Sequence, residues 1–435
     1  MVFRKIGNAL KNTRYKMRHG LRHHLEKNEG LLKHVILMGI ISTIANLFTI
    51  GFNIYAARKL IPAEYGALIS LVAIIFIFVT TFAAVQITVT RFVAHYKVKS
   101  RYEEISTLLK KSFIFFFFVG LAIFILTILM SPLIKEFLHL EAEKPIILLG
   151  LILWLIPLSA VMAGGLRGLQ KFRWLGTSAL VDGAVRFGIG IIFLGILGLG
   201  IAGGMYSIMT ATFLSFVVGF IVLVSILTKH KYAIDTKEIW KYGWPVFFTL
   251  IAIAFMANTD IVIVRHFFDP AIAGQYAVAS VTATILFFTS NIFSFTMFPK
   301  VAELHSSGKD PSKLLKSNLF YMLIICVFMY ILFHFSSDSV IKFFFGPQYN
   351  VGLIARTLII AYSFLSLANI LVIYDIAMGK SWYLYLLIAF AVLQPMLMWF
   401  WHPTIYTIVI IQVCTMTALF YILLIGAGRT LIFHQ

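Results

Sequence analysis

The chain has 435 residues, of which 60% are hydrophobic and only 12% are charged. Its mean hydropathy of +0.94 excludes an ordinary soluble globular protein. The formal net charge of +19 would suit a nucleic-acid-binding protein, but the basic residues fall in predicted loops and one tail, so membrane topology accounts for them and we expect no nucleic-acid partner.

The N-terminal segment, residues 1–34, is a basic tail that lacks the apolar core and the cleavage site of a signal peptide. We expect the tail to be retained and to lie on anionic membrane headgroups, where it helps to set the topology. A binding site for a specific partner is the alternative interpretation.

Twelve apolar runs follow the tail, and each is close to the ~20 residues that a helix needs to cross a bilayer. The run over 177–227 is nearly continuous, and the glycine-rich segment at 195–204 divides it into two spans. We therefore predict an all-α polytopic membrane protein with twelve transmembrane helices. The predicted spans are 35–57, 67–90, 112–134, 146–166, 177–199, 202–227, 243–264, 275–298, 317–335, 353–376, 381–401 and 404–426.

The basic residues support this count, because cytoplasmic loops carry an excess of Lys and Arg. With the N-terminus inside, 28 of the 36 basic residues lie in the tails and inner loops, and two lie within spans. We therefore predict a multi-pass protein of the cytoplasmic (plasma) membrane with both termini cytoplasmic. The six basic residues of the outer loops are Arg58, Lys59, Lys135, Lys144, Arg265 and Lys342.

The chain contains an internal repeat. Pro62 and Gly66 recur as Pro270 and Gly274 at a shift of 208 residues, which is close to half the chain. Six helices in each half make the repeats parallel, so we expect two six-helix bundles related by a pseudo-twofold axis along the membrane normal. The predicted units are a cytoplasmic tail (1–34), an N-terminal bundle (35–228), a cytoplasmic linker (229–242) and a C-terminal bundle (243–435).

Signals of catalysis and of bound cofactors are missing from the sequence. The predicted loops are too short for a folded catalytic or nucleotide-binding domain, and no G-x-x-x-x-G-K-[ST] phosphate loop occurs. Cys326 and Cys414 fall inside apolar runs, and the histidines lack metal-ligand spacing. We therefore expect neither an enzyme nor a metal or other cofactor.

Four stretches, taken in order, resemble the polysaccharide-export flippases of the MOP (MATE-like) superfamily. The stretches are AARKLIPAEYGALISL at 56–71, GGLRGLQKF at 164–172, NTDIVIVRHFFDPAIAGQYAVA at 258–279 and FFFGPQY at 343–349. The resemblance implies a V-shaped pair of bundles that moves lipid-linked oligosaccharides across the cytoplasmic membrane by alternating access. The superfamily also contains drug exporters and lipid II flippases, so the resemblance does not specify the glycan.

A polar stripe runs along the first predicted helix. Ser42, Asn46, Thr49 and Asn53 stand at offsets 0, 4, 7 and 11, which places them on one helical face. Lipid cannot satisfy such a stripe, so it must face protein or water. The stripe can line a substrate cavity, or it can form hydrogen bonds between helices. Asn46 is the best single candidate for lining the cavity.

Arg186 is the deepest charged residue in the predicted spans, about nine residues into the fifth one. An arginine inside a membrane is costly and usually functional, and its planar fork matches the oxygens of a pyrophosphate. Asp182 stands one helical turn before Arg186 and can neutralise it. A paired arginine can still bind phosphate, so the two interpretations are compatible.

Besides Asp182, three charged residues are candidates for gating or ion coupling: Asp260, Arg91 and Arg356. Asp260, near the outer end of the seventh span, can bind H⁺ or Na⁺, can pair with Arg58, Arg265 or Arg356 at an outer gate, or can be an interfacial carboxylate held by an arginine. Arg91, at the inner end of the second span, can close an inner gate or anchor the helix at the interface.

The leading hypothesis is a flippase for a polyprenyl-(pyro)phosphate-linked oligosaccharide used to build cell-surface glycans. Its candidate partners are membrane lipids and a glycan polymerase or glycosyltransferases. The alternative is an ion-coupled exporter of small amphipathic compounds, which would need intramembrane carboxylates to outnumber arginines. A membrane-bound enzyme would need acidic or histidine-bearing catalytic loops, which the sequence does not supply.

Overall fold

The computed structural model describes residues 41, 43–227, 232 and 236–432, and all regular secondary structure in these ranges is helical. The prediction for the tail at 1–34 and that for Ser42 therefore lie outside the described residues. Within each half, short turns connect long helices in simple succession.

Thirteen helices cover the described residues, and we number them in chain order. The first is described from residue 43 to 59, and its beginning lies outside the described range. The helices are α1 (43–59), α2 (Pro62–Val98), α3 (Tyr102–Leu129), α4 (Ser131–Phe137), α5 (Lys144–Gly168), α6 (Phe172–Gly190, continued by a π-helical segment at Ile191–Ile196), α7 (Gly200–Val224), α8 (Thr236–Phe267), α9 (Pro270–Ser306), α10 (Ser312–Phe345), α11 (Gly352–Ala377), α12 (Tyr383–Phe400) and α13 (Ile405–Ile432).

Eleven of the described helices are long and apolar enough to cross a membrane, which confirms a polytopic all-α protein. They are α2, α3 and α5–α13, and together with α1 they correspond one to one with the twelve predicted spans. The short α4 is a single amphipathic piece between α3 and α5.

Several helices are longer than their predicted spans. α2 has 37 residues where the apolar run predicted 67–90, and α8 begins at Thr236, inside the range predicted as a linker. The physical reason is that an apolar run marks only the part of a helix within the hydrocarbon core. Backbone hydrogen bonding continues through polar residues until a turn residue ends it.

The repeated proline begins a helix in both halves. Pro62 occupies the first turn of α2 and Pro270 the first turn of α9, where a missing N–H costs nothing. Asp269 caps α9 by accepting a hydrogen bond from the backbone N–H of Ala271 at 2.8 Å. The sequence repeat therefore corresponds to two equivalent turns, one between α1 and α2 and one between α8 and α9.

The two halves, α1–α7 and α8–α13, pack against each other mainly through α2. This helix contacts α5 in its own half and both α8 and α9 in the other half. By contrast, α3 and α10 expose many large apolar side chains, among them Phe118 and Phe328. The surrounding lipid can cover such faces, and this arrangement leaves α2, α8 and α9 to form the contact between the halves.

Candidate functional site

The two repeated turns meet at one end of the molecule, which we call the turn end (residues 58–66 and 265–274). Here the backbones of α2 and α9 touch. A Cβ added to Gly66 would lie 2.7 Å from the backbone nitrogen of Gly274 and 2.9 Å from its Cα. A Cβ on Gly274 would in turn overlap the carbonyl oxygen of Pro62. Glycine is therefore required on both sides of this contact.

Asp260 lies on α8, five residues before Arg265 of the turn end, and is fully buried. Its Oδ2 accepts hydrogen bonds from the hydroxyl of Tyr276 at 2.6 Å and from that of Ser280 at 3.5 Å, both on α9. Its Oδ1 has no partner, and neither does the buried Nε2 of Gln412 on α13. A buried carboxylate oxygen without a donor is costly unless a proton or a cation satisfies it.

More polar side chains surround this carboxylate, and we call Asp260, Tyr276, Ser280, Tyr362 and Gln412 the Asp260 cluster. The Tyr276 hydroxyl also lies 3.4 Å from Oε1 of Gln412, and the Ser280 hydroxyl lies 3.4 Å from that of Tyr362. Four helices of the C-terminal half (α8, α9, α11 and α13) thus contribute to one buried polar site. Of this cluster, the sequence analysis identified only Asp260. The isolated polar residue Gln412 inside the apolar run of α13 could have indicated a second member.

Pairing with an arginine, one of the alternatives for Asp260, is not seen among the described residues. Arg58 and Arg265 direct their guanidinium groups to backbone carbonyls of the opposite half. Arg356 donates only a long hydrogen bond of 3.5 Å to the carbonyl of His334, and its Nε is buried without a partner. The physical reason is that these carbonyls end helices and need donors, whereas Asp260 is enclosed by tyrosine and glutamine.

Arg186 lies near the middle of α6 and pairs with Asp182, as the spacing predicted. The distance from Nη2 of Arg186 to Oδ2 of Asp182 is 2.6 Å. α6 begins at Phe172, before the predicted span, so Arg186 lies 14 residues along the helix, or ~21 Å at 1.5 Å per residue, and its depth in the membrane stays a prediction. The Nε of Arg186 is buried and has no partner. Nε is therefore a buried donor left for another group.

The helix that carries Arg186 packs against α1. A Cβ on Gly183 would lie 2.7 Å from the carbonyl oxygen of Ala45, and the ring of Phe187 contacts Gly51. Gly183 and Phe187, four residues apart, share the face of α6 that packs on α1, and Arg186, three residues after Gly183, lies at the edge of that face. The structure thus brings together the two elements on which the sequence placed candidate cavity residues.

The described members of the α1 stripe differ in their surroundings. Asn46 is exposed, whereas Thr49 and Asn53 are half-buried. The hydroxyl of Thr49 donates to the carbonyl of Ala45 in its own helix at 3.2 Å, so its polar group is satisfied within α1. Asn46 remains the member of the stripe that is open to its surroundings.

Arg91 contacts the other half at the end opposite the turn end. Its guanidinium carbon lies 4.0 Å from the centre of the Tyr242 ring on α8, which is a close cation–π contact. One turn earlier on α2, Thr88 lies beside Gly243. Arg91 therefore connects α2 to α8, as a residue of an inner gate would, although its role in gating stays a prediction.

Metal binding finds no support in the part of the chain that the structure describes. There, no group of three or more His, Cys, Asp or Glu side chains is arranged to hold a metal ion. The candidate chemistry is therefore that of one Arg–Asp pair beside α1, the Asp260 cluster, and contacts between the halves at both ends.

Comparison with known proteins gives a family match over much of the chain. A family model for polysaccharide biosynthesis proteins (Polysacc_synt) matches residues 31–305. No curated protein sequence matches the chain.

Solved structures with the same fold cover nearly all of the chain. The inward-facing conformation of a multidrug resistance MATE family transporter of the MOP superfamily matches with a TM-score of 0.73 and 15% identity, over 91% of this chain and 97% of that one. The lipid II flippase MurJ in its inward closed conformation matches with a TM-score of 0.69 and 16% identity, over 90% and 87%. An outward-facing multidrug resistance MATE family transporter matches with a TM-score of 0.65 and 16% identity, over 91% and 95%.

Proposed function

The chain belongs to the polysaccharide biosynthesis protein family and has the fold of MOP superfamily transporters, and from this premise we propose that it flips a polyprenyl-(pyro)phosphate-linked oligosaccharide across the cytoplasmic membrane. Transport proceeds by alternating access between the two halves, without covalent chemistry. The turn end faces outward and both termini face the cytoplasm, in accordance with the distribution of basic residues.

The observation that carries this proposal is the position of Arg186. A charged arginine at the centre of a transmembrane helix costs ~2.5–3.5 kcal/mol on insertion scales and faces an interior or a water-filled cavity. Arg186 lies at the edge of the α1-facing side of α6 and retains an unpartnered buried Nε. A (pyro)phosphate can accept from Nε and from one Nη in a bidentate arrangement, because the guanidinium fork matches phosphate oxygens.

The lipid tail and the glycan head group of the substrate occupy different environments. The polyprenyl tail remains in the bilayer, while the phosphate and the glycan pass between the halves. Arg186 binds the phosphate, and Asn46 and Asn53 on the neighbouring α1 offer amide groups to the sugar hydroxyls. Asp182 keeps the guanidinium oriented when no substrate is bound.

The Asp260 cluster is the proposed coupling site, with H⁺ or Na⁺ as the ion. Oδ1 of Asp260 is a buried carboxylate oxygen with no hydrogen-bond partner, so an occupant that supplies a proton or a positive charge is favoured there. The cluster joins α8 and α9, the two helices of the C-terminal half that also contact α2. Occupancy can thus influence the packing between the halves.

Transport in proteoliposomes tests the function directly. Purified protein is reconstituted with a radiolabelled polyprenyl-pyrophosphate-linked oligosaccharide, and the fraction of glycan accessible to an added glycosidase is followed over time. We expect the wild-type protein to equilibrate the glycan between leaflets and Arg186→Ala to slow this at least tenfold. Arg173→Ala, which removes an exposed arginine of the same helix, is the matched control and should retain wild-type rates. Equal rates in Arg186→Ala and the control would overturn the role of Arg186.

The second candidate function is ion-coupled export of small amphipathic cations. The observation that favours it is the buried carboxylate of Asp260, because a negative intramembrane group suits a cationic cargo. Efflux of a fluorescent cationic dye from the same proteoliposomes, driven by a pH or Na⁺ gradient, tests it. Dye efflux without glycan flipping would replace the flippase proposal with this one.

A further inference from the structure

We propose that Arg58 and Arg265 form two matched latches that hold the turn end closed, and that both must release before the halves can separate there. The proposal rests on the alternating access proposed above and is independent of which substrate is carried. Each latch consists of an arginine at the end of one half's first helix and of backbone carbonyls in the other half, most of them at the end of a helix.

The first latch is formed by Arg265, at the end of α8 in the C-terminal half. Its Nε donates to the carbonyl of Leu138 at 2.8 Å, and one Nη donates to that of His139 at 3.0 Å. The other Nη reaches the carbonyl of Ala63 at 3.1 Å. These three acceptors belong to the N-terminal half, the Nη that reaches Ala63 also lies 3.4 Å from the carbonyl of Pro270 in its own half, and Arg265 is only 3% exposed.

The second latch is formed by Arg58, at the end of α1 in the N-terminal half. Its Nε donates to the carbonyl of Phe344 at 2.8 Å, and one Nη donates to the carbonyl of Phe343. Both acceptors lie in the last turn of α10, in the C-terminal half. The loop after α10 adds the hydroxyl of Tyr349, which donates to the carbonyl of Ala57 at 3.1 Å.

The two latches are counterparts under the internal repeat. Arg58 and Arg265 stand 207 residues apart, close to the shift of 208 that relates the two proline–glycine turns. Apart from Ala63, in the first turn of α2, their acceptors in the opposite half lie at the ends of α4 and α10, at the same place in the two halves. Each half therefore offers the other an arginine and accepts one in return, as expected for interfaces related by a twofold axis.

The chemistry of the acceptors makes the latches reversible. The last carbonyls of a helix lack intrahelical donors and carry the negative end of the helix dipole, so a guanidinium satisfies several of them at once. Neither arginine forms an ion pair within the described ranges 43–227 and 236–432. Water can replace a neutral carbonyl more easily than it can separate a buried ion pair, so opening does not strand a buried opposite charge.

Distance measurements at the turn end test the latches without any substrate. Spin labels are attached at Ile61→Cys on the N-terminal half and Ile272→Cys on the C-terminal half, which are both exposed, after Cys326 and Cys414 have been replaced by alanine. Electron–electron resonance on protein in lipid nanodiscs then gives the distribution of distances between the two labels.

We expect one short distance in the protein with both latches, and a longer-distance population that rises at least fivefold in Arg58→Gln/Arg265→Gln. Each single variant should give a smaller rise, and Arg265→Lys should behave like a single loss because one ammonium cannot span three carbonyls. Lys59→Gln is the control. The ammonium of Lys59 lies over the Tyr55 ring of its own half, so this substitution should leave the distribution of label distances unchanged.

An unchanged distribution in the double variant would overturn the latches, and so would an equal change in Lys59→Gln. Elution as a monodisperse species and a short-distance component that keeps its mean distance show that each variant has folded. If the wild-type protein did not transport the glycan, the proposed function would be refuted, but the distance result would be unaffected. The two proposals therefore fail separately.

Discussion

Gly66 of α2 and Gly274 of α9 meet backbone to backbone across the two halves of the chain. They are the equivalent glycines of the two repeated turns, so the repeat places its own two copies in contact. Because neither position has room for a side chain, the closeness of the halves at the turn end depends directly on these two residues.

Substitution of Gly274 by valine should separate the halves at the turn end. The added side chain would overlap the carbonyl of Pro62, and overpacking of this kind typically costs ~1–3 kcal/mol. We expect a lower unfolding temperature and a longer distance between labels at residues 61 and 272. Gly188→Val on α6 is the control, since a Cβ there meets nothing within 4 Å. If Gly274→Val matched this control in both measurements, the close approach would have no energetic importance.

Substitution of Asp182 separates neutralisation of Arg186 from substrate binding. If Arg186 binds phosphate, Asp182→Asn should keep at least a tenth of the transport rate, because the guanidinium remains available and gains positive potential. Arg186→Ala should lose more than this. The measurement is the rate of glycan flipping in proteoliposomes, normalised to the amount of folded protein. Equal losses in the two variants would indicate that the pair acts only as a structural unit.

Asp260→Asn should remove the dependence of transport on the coupling ion. The amide preserves the size of the side chain but cannot take up a proton or hold a cation by charge. We expect the dependence of the transport rate on a pH or Na⁺ gradient to disappear. Thr259→Ala is the neighbouring control, because its hydroxyl bonds only to the carbonyl of Phe255 in its own helix. Persistent ion dependence in Asp260→Asn would exclude the cluster as the coupling site.

A cysteine at residue 46 should react with aqueous thiol reagents if α1 lines a water-filled cavity. Asn46 is exposed, and its neighbour Ala45 is buried against α6, so Ala45→Cys is the matched control. We expect labelling of Asn46→Cys by a charged maleimide at least ten times faster than that of Ala45→Cys. Reaction of Asn46→Cys with lipid-soluble reagents alone would instead place Asn46 against the bilayer.

Tyr349→Phe should weaken the contact between the loop after α10 and the end of α1. The variant loses the hydrogen bond to the carbonyl of Ala57, for an expected cost of ~1 kcal/mol in the free energy of unfolding. Burial raises the pKa of the Tyr349 hydroxyl above its usual range. A raised folded-state pKa leaves the stabilisation complete below the unfolded value of about 10, with loss only above it.

The difference between Tyr349→Phe and the wild-type protein should accordingly be constant between about pH 6 and 9. Thermal unfolding across this range measures it, and Tyr385→Phe, which alters an exposed tyrosine, is the control. A difference that vanished within the range would mean that the hydroxyl does not donate as a neutral group.

The sequence alone determined that the chain crosses a membrane repeatedly and that it is duplicated. Apolar runs of helical length have one solution in lipid, because every backbone group must be bonded within its own helix. The prolines and glycines at 62, 66, 270 and 274 marked the turns, since few residues begin a helix or allow close backbone approach. The i, i+4 spacing also identified the pair of Asp182 and Arg186.

Only the tertiary structure decided which polar groups meet across helices. Arg58 and Arg265 looked like partners for a carboxylate, but they bond to carbonyls of the opposite half. Gln412 gave little sign that it would lie beside Asp260, 152 residues earlier in the chain. Carbonyl acceptors are identical in every residue, so the sequence cannot show which ones end a helix next to a guanidinium. That choice is made by the packing of the two halves.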